Sequence, residues 1–216
     1  MRRTRLVPTV TSMSKTLLRQ VRISRRSALW AVTGLALVAL SFAAHPVWNG
    51  TPYPSADPDL VAERLKDQSD AVYEGFALPE KYPAKSGRID TGACYYRGLE
   101  SIAHIDQPRR DVRSFGLDWS VPDVPETTAR DAQRHVRRLL AERGWKLVHE
   151  GDRAGASFLE LGFRFENPEG GDQVDVGWND ATTTLFISVY APCTQVPDGF
   201  DEYDWSEADW HPKPPQ

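Results

Sequence analysis

The chain has 216 residues, 26 of them basic and 30 acidic, for a formal net charge of −4. That charge is unevenly spread: eight basic residues and no acidic one lie in residues 1–26, while the part beyond residue 44 holds 18 basic against 30 acidic residues, a net −12. So acidic a main body argues against nucleic acid as a partner. The asymmetry itself marks a chain whose N-terminus stays in the cytoplasm while the rest is exported.

Residues 1–26 form a basic cytoplasmic segment carrying Arg2, Arg3, Arg5, Lys15, Arg19, Arg22, Arg25 and Arg26. Ser12 and Lys15 match the SxxK spacing of penicillin-binding enzymes, but inside an export segment the match carries no chemistry. Residues 27–44 are uncharged and apolar, and as a helix would reach about 27 Å, close to the roughly 30 Å of a hydrocarbon core. Pro46 stops the run. As a signal-anchor this segment is a transmembrane helix that leaves a single-pass protein in the cell membrane, with its C-terminal domain extracellular. As a signal peptide it is cut near Ser41-Phe42-Ala43 and the domain is secreted. Arg25-Arg26 also resembles a twin-arginine signal, with Ala28 in place of the usual bulky apolar residue.

Residues 45–89 read as a proline-bearing stalk with one short helix from Pro58 to about Asp70, capped by Asp57. Residues 90–195 read as the extracytoplasmic domain. A strand over Ala93–Leu99 carries Cys94, and Phe115, Leu117 and Trp119 alternate in a second strand, Val112–Val121. Thr128 opens a helix with Ala132, Val136, Leu139 and Leu140 on one face, and Gly144 ends it. Strands follow at Trp145–His149, Leu159–Phe165, Val174–Trp178 and Leu185–Val189. Turns fall at Pro168–Gly171 and at Asn179-Asp180. The order β-β-α-β-β-β-β with short connections predicts an α+β, two-layer domain, an antiparallel sheet with one helix on one face, preceded by the transmembrane helix. Trp119, Trp145 and Trp178 are expected in its core.

Cys94 and Cys193 are the chain's two cysteines. An even pair in an oxidising compartment points to a disulfide rather than a metal or thiol site. Residues 196–216 form an acidic-aromatic tail, with Phe200, Tyr203, Trp205 and Trp210 among six carboxylates up to Asp209. It reads as a solubilising tail dispensable for folding, as a strap docked on the domain, or as a docking segment for a basic partner.

No nucleotide loop, HExxH or GxSxG is present, and no cofactor or metal ligand set stands out. His45, His104, His135, His149 and His211 are scattered without a motif. Arg130, Arg134, Arg137, Arg138 and Arg143 make the second helix basic, which reads as a solvated face. Glu160 and Glu166 share the outer face of one strand with Arg164, the place where a small extracytoplasmic hydrolase would keep paired carboxylates.

Cys94, Trp119, the helix over 128–143, Gly144-Trp145, Trp178 and Cys193 together resemble small membrane-anchored envelope proteins of high-GC Gram-positive bacteria, over residues 90–195. The function of that group is unknown, so the resemblance implies a place in the cell envelope and no catalytic residue. The expectation is a membrane-anchored structural or binding module that contacts an envelope protein or a cell-wall component. The alternative is the hydrolase using sheet-face carboxylates.

Overall fold

Hydrophobic alternation decides the central layer. The computed structural model describes residues 47–154, 159–205 and 208–213, the side chains of residues 152–160 excepted. Seven strands form one sheet in the order β3-β4-β5-β6-β2-β1-β7. They are β1 (Gly87–Tyr95), β2 (Pro108–Val121), β3 (Lys146–Ala154), β4 (Leu159–Glu166), β5 (Gln173–Asn179), β6 (Thr184–Gln195) and β7 (Asp209–Trp210). Every pairing is antiparallel. Phe115, Leu117, Trp119 and Val121 of β2 face the core with Leu185, Ile187 and Val189 of β6 and Val174, Val176 and Trp178 of β5. The α+β architecture and the antiparallel sheet are as the sequence predicts, with β7 as an added strand.

Two helices, not one, cover the inner face. The second, α3 (Glu126–Glu142), buries Ala129, Ala132, Val136 and Leu140. The first, α1 (Pro58–Gly75), buries Val61, Ala62, Leu65 and Val72. A Cβ on Gly75 would lie 2.5 Å from the Leu139 side chain, so the two helices touch where α1 ends. This corrects the stalk expected over residues 45–89. The helix runs on to Gly75 because its apolar stripe has a sheet to bury against, and tertiary packing supplies most helix stability. Pro54 and Ala56 bond the backbone of Gln195, so the approach to α1 lies along β6. The compact unit therefore begins near Pro46 rather than near Asp90.

The tail is also part of the domain. β7 pairs with β1, Gly87 opposite Trp210. Trp210 is 3 % exposed and its ring lies 5.1 Å from that of Trp119. Phe200 and Trp205 stack edge-on against Phe115 at 6.1 and 5.4 Å. Three of its four aromatics pack on the domain while Tyr203 stays 87 % exposed, so the segment is not the free solubilising tail that its composition suggests. Of the three readings of the tail, this is the strap.

Two smaller differences have local causes. The second helix starts at Glu126 rather than after Thr128, with Pro125 at its N-cap and no side-chain cap. Val124 is pinned there, its N–H donating to Thr183 and its carbonyl accepting from Trp178 Nε1 at 2.8 Å. At the other end Gly144 takes φ +82° and Trp145 N–H reaches back to Leu140 O, the left-handed close expected of glycine. Trp119 and Trp178 are buried as expected, whereas Trp145 is only half-buried. It precedes the edge strand β3, whose register slips between Leu147 and His149 and whose Leu147 and Val148 remain exposed.

Cys94 in β1 and Cys193 in β6 are joined in a disulfide, Cα–Cα 6.1 Å. β2 lies between those strands, which would ordinarily stand roughly 9–10 Å apart. Register shifts between Ala93 and Tyr95 and between Arg113 and Phe115 draw them together at this level. The run at 27–44 falls outside the described residues, and among the described residues no helix is long and apolar enough to cross a membrane.

Candidate functional site

The helices occupy one face of the sheet, and the other stays open. Alternation assigns it Gly162, Arg164 and Glu166 of β4, Gln173, Asp175, Gly177 and Asn179 of β5, and Phe186, Ser188 and Tyr190 of β6. The register aligns three glycines in a row across three strands, Gly151 opposite Gly162 and Gly162 opposite Gly177, and Phe186 of β6 completes the row. A Cβ on Gly177 would fall 2.0 Å from the Phe186 ring, so that ring lies flat over Gly177. Two rows away, beyond Ser188, the Tyr190 ring lies over Gly116, where a Cβ would meet it at 2.9 Å. Both rings keep one face in solvent, at 37 and 36 % exposure.

Above Gly162 there is room, the nearest atom to an added Cβ being a backbone oxygen at 3.5 Å. The result is a recess of about 330 Å³ floored by Gly162 and Gly177, walled by Phe186 and His149, and edged by Arg164 and Asp175. Arg164 grips Asp175 through two hydrogen bonds of 2.6 Å each, Nε to one oxygen and the terminal nitrogen to the other. That hydrogen bonding holds the guanidinium above its ordinary value, against a smaller opposing effect of burial. The pair is rigid and presents its remaining N–H groups and lone pairs at the rim.

The other residues singled out by sequence fall elsewhere or are already occupied. Glu166 accepts a hydrogen bond from Gln173 at 3.3 Å. The Glu160 side chain lies outside the described residues, although its backbone pairs with Asn179. His104 stacks on Tyr96 at 4.1 Å on the loop between β1 and β2, remote in the sheet order from His149 on β3. Arg130 pairs with Glu126, Arg134 with Asp131, and Arg137 with Glu150, so the basic helix face is largely self-neutralised. Ser12 and Lys15 lie outside the described residues. Among those residues no group of three metal-ligating side chains converges.

A larger recess of about 810 Å³ lies beside the disulfide, between β1, β2 and the tail. Two ion pairs line it: Arg109 meets Asp111 at 2.5 Å and Arg113 meets Glu202 at 3.3 Å. The hydrogen bond from Arg109 holds the Asp111 carboxyl below its ordinary value. This recess is where the tail is fastened.

The glycine row is what sequence reasoning missed. Each of Gly162 and Gly177 stands between two core residues of a strand, a visible signal, but only the register shows that they line up. No family model matches this chain, and no curated protein or solved structure does.

Proposed function

We propose that this chain is an extracytoplasmic binding module of the bacterial cell envelope, tethered through residues 27–44, which receives a ring-bearing cell-wall component, a glycan, on its open sheet face. The observation that carries the reading is the glycine row. A glycine inside a strand forgoes side-chain packing and costs roughly 0.5–1 kcal/mol relative to alanine, and such positions mark close approach by a ligand or another backbone. Of the three in register, Gly177 is covered by the Phe186 ring and Gly151 is met by His149, which leaves the space over Gly162 between them open. A flat aromatic wall beside a fixed charge pair suits a sugar ring, whose faces are apolar and whose edges carry hydroxyls. Phe186 offers the face, while Arg164, Asp175 and His149 offer donors and acceptors for the edge.

The binding reading is favoured over hydrolysis by the state of the carboxylates. Asp175 is held by Arg164 through two hydrogen bonds, and Glu166 already accepts one from Gln173. The test is an amide chemical-shift titration of the protein with soluble cell-wall glycan fragments. Shifts centred on Gly162, Gly177 and Phe186, with the glycan recovered intact, support the reading. Absence of shifts, or shifts centred elsewhere, would refute it, and cleaved glycan would restore the hydrolase.

A further inference from the structure

Exposed apolar side chains are concentrated at one place. Of the twelve large apolar residues exposed among the described residues, six lie in two short segments: Val47 and Trp48, then Tyr95, Leu99, Ile102 and Ile105. Ile102 and Ile105 are each 66 % exposed, Val47 60 % and Trp48 55 %. The second segment runs from the last residue of β1 through the loop to β2, which contains the single-turn helix α2 (Glu100–Ala103).

The two segments are fastened together. Leu99 N–H donates to Val47 O at 3.2 Å. Gly98 and Gly50 meet so closely that a Cβ on Gly98 would fall 2.4 Å from Gly50 N. The Tyr53 hydroxyl donates to Tyr95 O at 2.7 Å, and the Arg97 guanidinium sits 3.7 Å above the Tyr53 ring while bonding Thr51 O. An otherwise open loop is thus held against the first residues of the domain. Its apolar side chains stay in solvent instead of packing on the core.

We infer that this loop is a second membrane contact: Leu99, Ile102 and Ile105, with Val47, Trp48 and Tyr95, seat the domain on the outer surface of the lipid bilayer. The inference rests on the reading that residues 27–44 are retained in the membrane. Two residues separate Ala44 from Val47, so the chain can place Val47 no more than about 11 Å from the end of the apolar run. The headgroup layer on each side of a hydrocarbon core is roughly 5–8 Å deep. Val47 therefore lies in or just above that layer, and whatever is hydrogen-bonded to Val47 is held there too. Trp and Tyr beside exposed aliphatic side chains are the composition of an interfacial contact.

Charge identifies which feature of the bilayer is read. Residues 95–111 carry Arg97, Arg109 and Arg110 against Glu100, Asp106 and Asp111, a balance of zero. Attraction to anionic headgroups is therefore minor, and the contact is driven by apolar burial at the hydrocarbon–headgroup boundary.

The experiment uses the full chain reconstituted in vesicles, with single cysteines carrying a fluorophore. The two native cysteines are already joined to each other, so an added thiol is the only one labelled. Ile102→Cys and Ile105→Cys report on the loop, Ala36→Cys on the apolar run, and Leu147→Cys on an equally apolar, exposed position at the far edge of the sheet. Quenching of the labels at 102 and 105 by bilayer-embedded quenchers, equal in zwitterionic and anionic vesicles, with the label at 147 unaffected, is the expected result. Labels at 102 and 105 that stay water-accessible while 36 is quenched would overturn the second contact and leave the tether standing. A label at 36 that is not quenched would remove the tether itself. Protection of 102 and 105 from water-borne quencher without quenching from the bilayer would mean that a protein, not lipid, covers the loop, and would also overturn the inference.

Discussion

The Trp210 indole N–H donates to Asp70 Oδ1 at 3.1 Å, tying the last strand to the first helix across 140 residues of chain. Lys213 reaches the other oxygen of the same carboxylate at 2.6 Å, and the Trp205 indole N–H donates to Asp59 at 2.8 Å near the start of that helix. The two ends of the domain thus hold each other against the sheet, and neither packs as well without the other.

Trp210→Ala is expected to cost about 3–5 kcal/mol, the range for emptying a buried aromatic site, and a chain ending at Val196 should be less stable still. Chemical denaturation of both variants checks this. An unmoved midpoint would show that the tail only decorates the domain.

Stability and binding should separate at Gly162. The nearest atom to an added Cβ there is a backbone oxygen at 3.5 Å, so Gly162→Ala narrows the recess without a clash. We expect an unchanged melting temperature, or a gain of up to about 1 kcal/mol from replacing a strand glycine, together with weakened glycan binding in the shift titration. Undiminished binding in a stable Gly162→Ala protein would place the ligand elsewhere.

Replacing both cysteines with alanine should lower stability by about 2–5 kcal/mol, since the bond closes a loop of 99 residues in the unfolded chain. Comparing thermal melts of the double variant with the oxidised protein measures it directly, and a difference near zero would mean that strain in the folded protein offsets the entropic gain.

A small pH dependence is expected from Asp111. Arg109 lowers its folded pKa, so the pair contributes stability above the unfolded carboxyl value of about 4 and loses it as pH falls through the folded one. Both side chains are part-exposed, and solvent screening keeps the contribution under about 1 kcal/mol. Asp111→Asn should therefore be slightly less stable than the parent at neutral pH, with the gap closing in acid. A gap that widens on acidification would have the sign wrong.

The middle of the fold was legible because β4, β5 and β6 alternate without interruption and their turns carry Pro168, Gly170, Gly171 and Asn179. The half nearer the ends was not. α1 has an apolar stripe too loose to distinguish from a stalk helix until the sheet it covers is known. The tail has no period at all, so Trp205 and Trp210 gave no sign of their destinations on Asp59 and Phe115 and on Asp70 and Trp119. The candidate site was missed for a different reason. Glu160 and Glu166 stand out in the sequence because carboxylates carry chemistry, whereas the recess is defined by side chains that are missing, and an absence at 162 acquires meaning only beside the absences at 151 and 177.

The Cys94–Cys193 bond also governs what a protease can release. It closes a covalent ring containing β2 through β6 and α3, so a single cut in either exposed turn, near Gly170 or near Ala181, separates no fragment until the bond is reduced. Residues 1–75, α1 among them, lie outside that ring and join it through residues 76–93. A cut there leaves α1 with the N-terminal piece and frees an intact ring, still carrying its tail, from every covalent hold on residues 1–75. The two pieces then stay together only through the burial of α1 and the Trp210–Asp70 bond, whereas a cut within the ring leaves its pieces covalently linked.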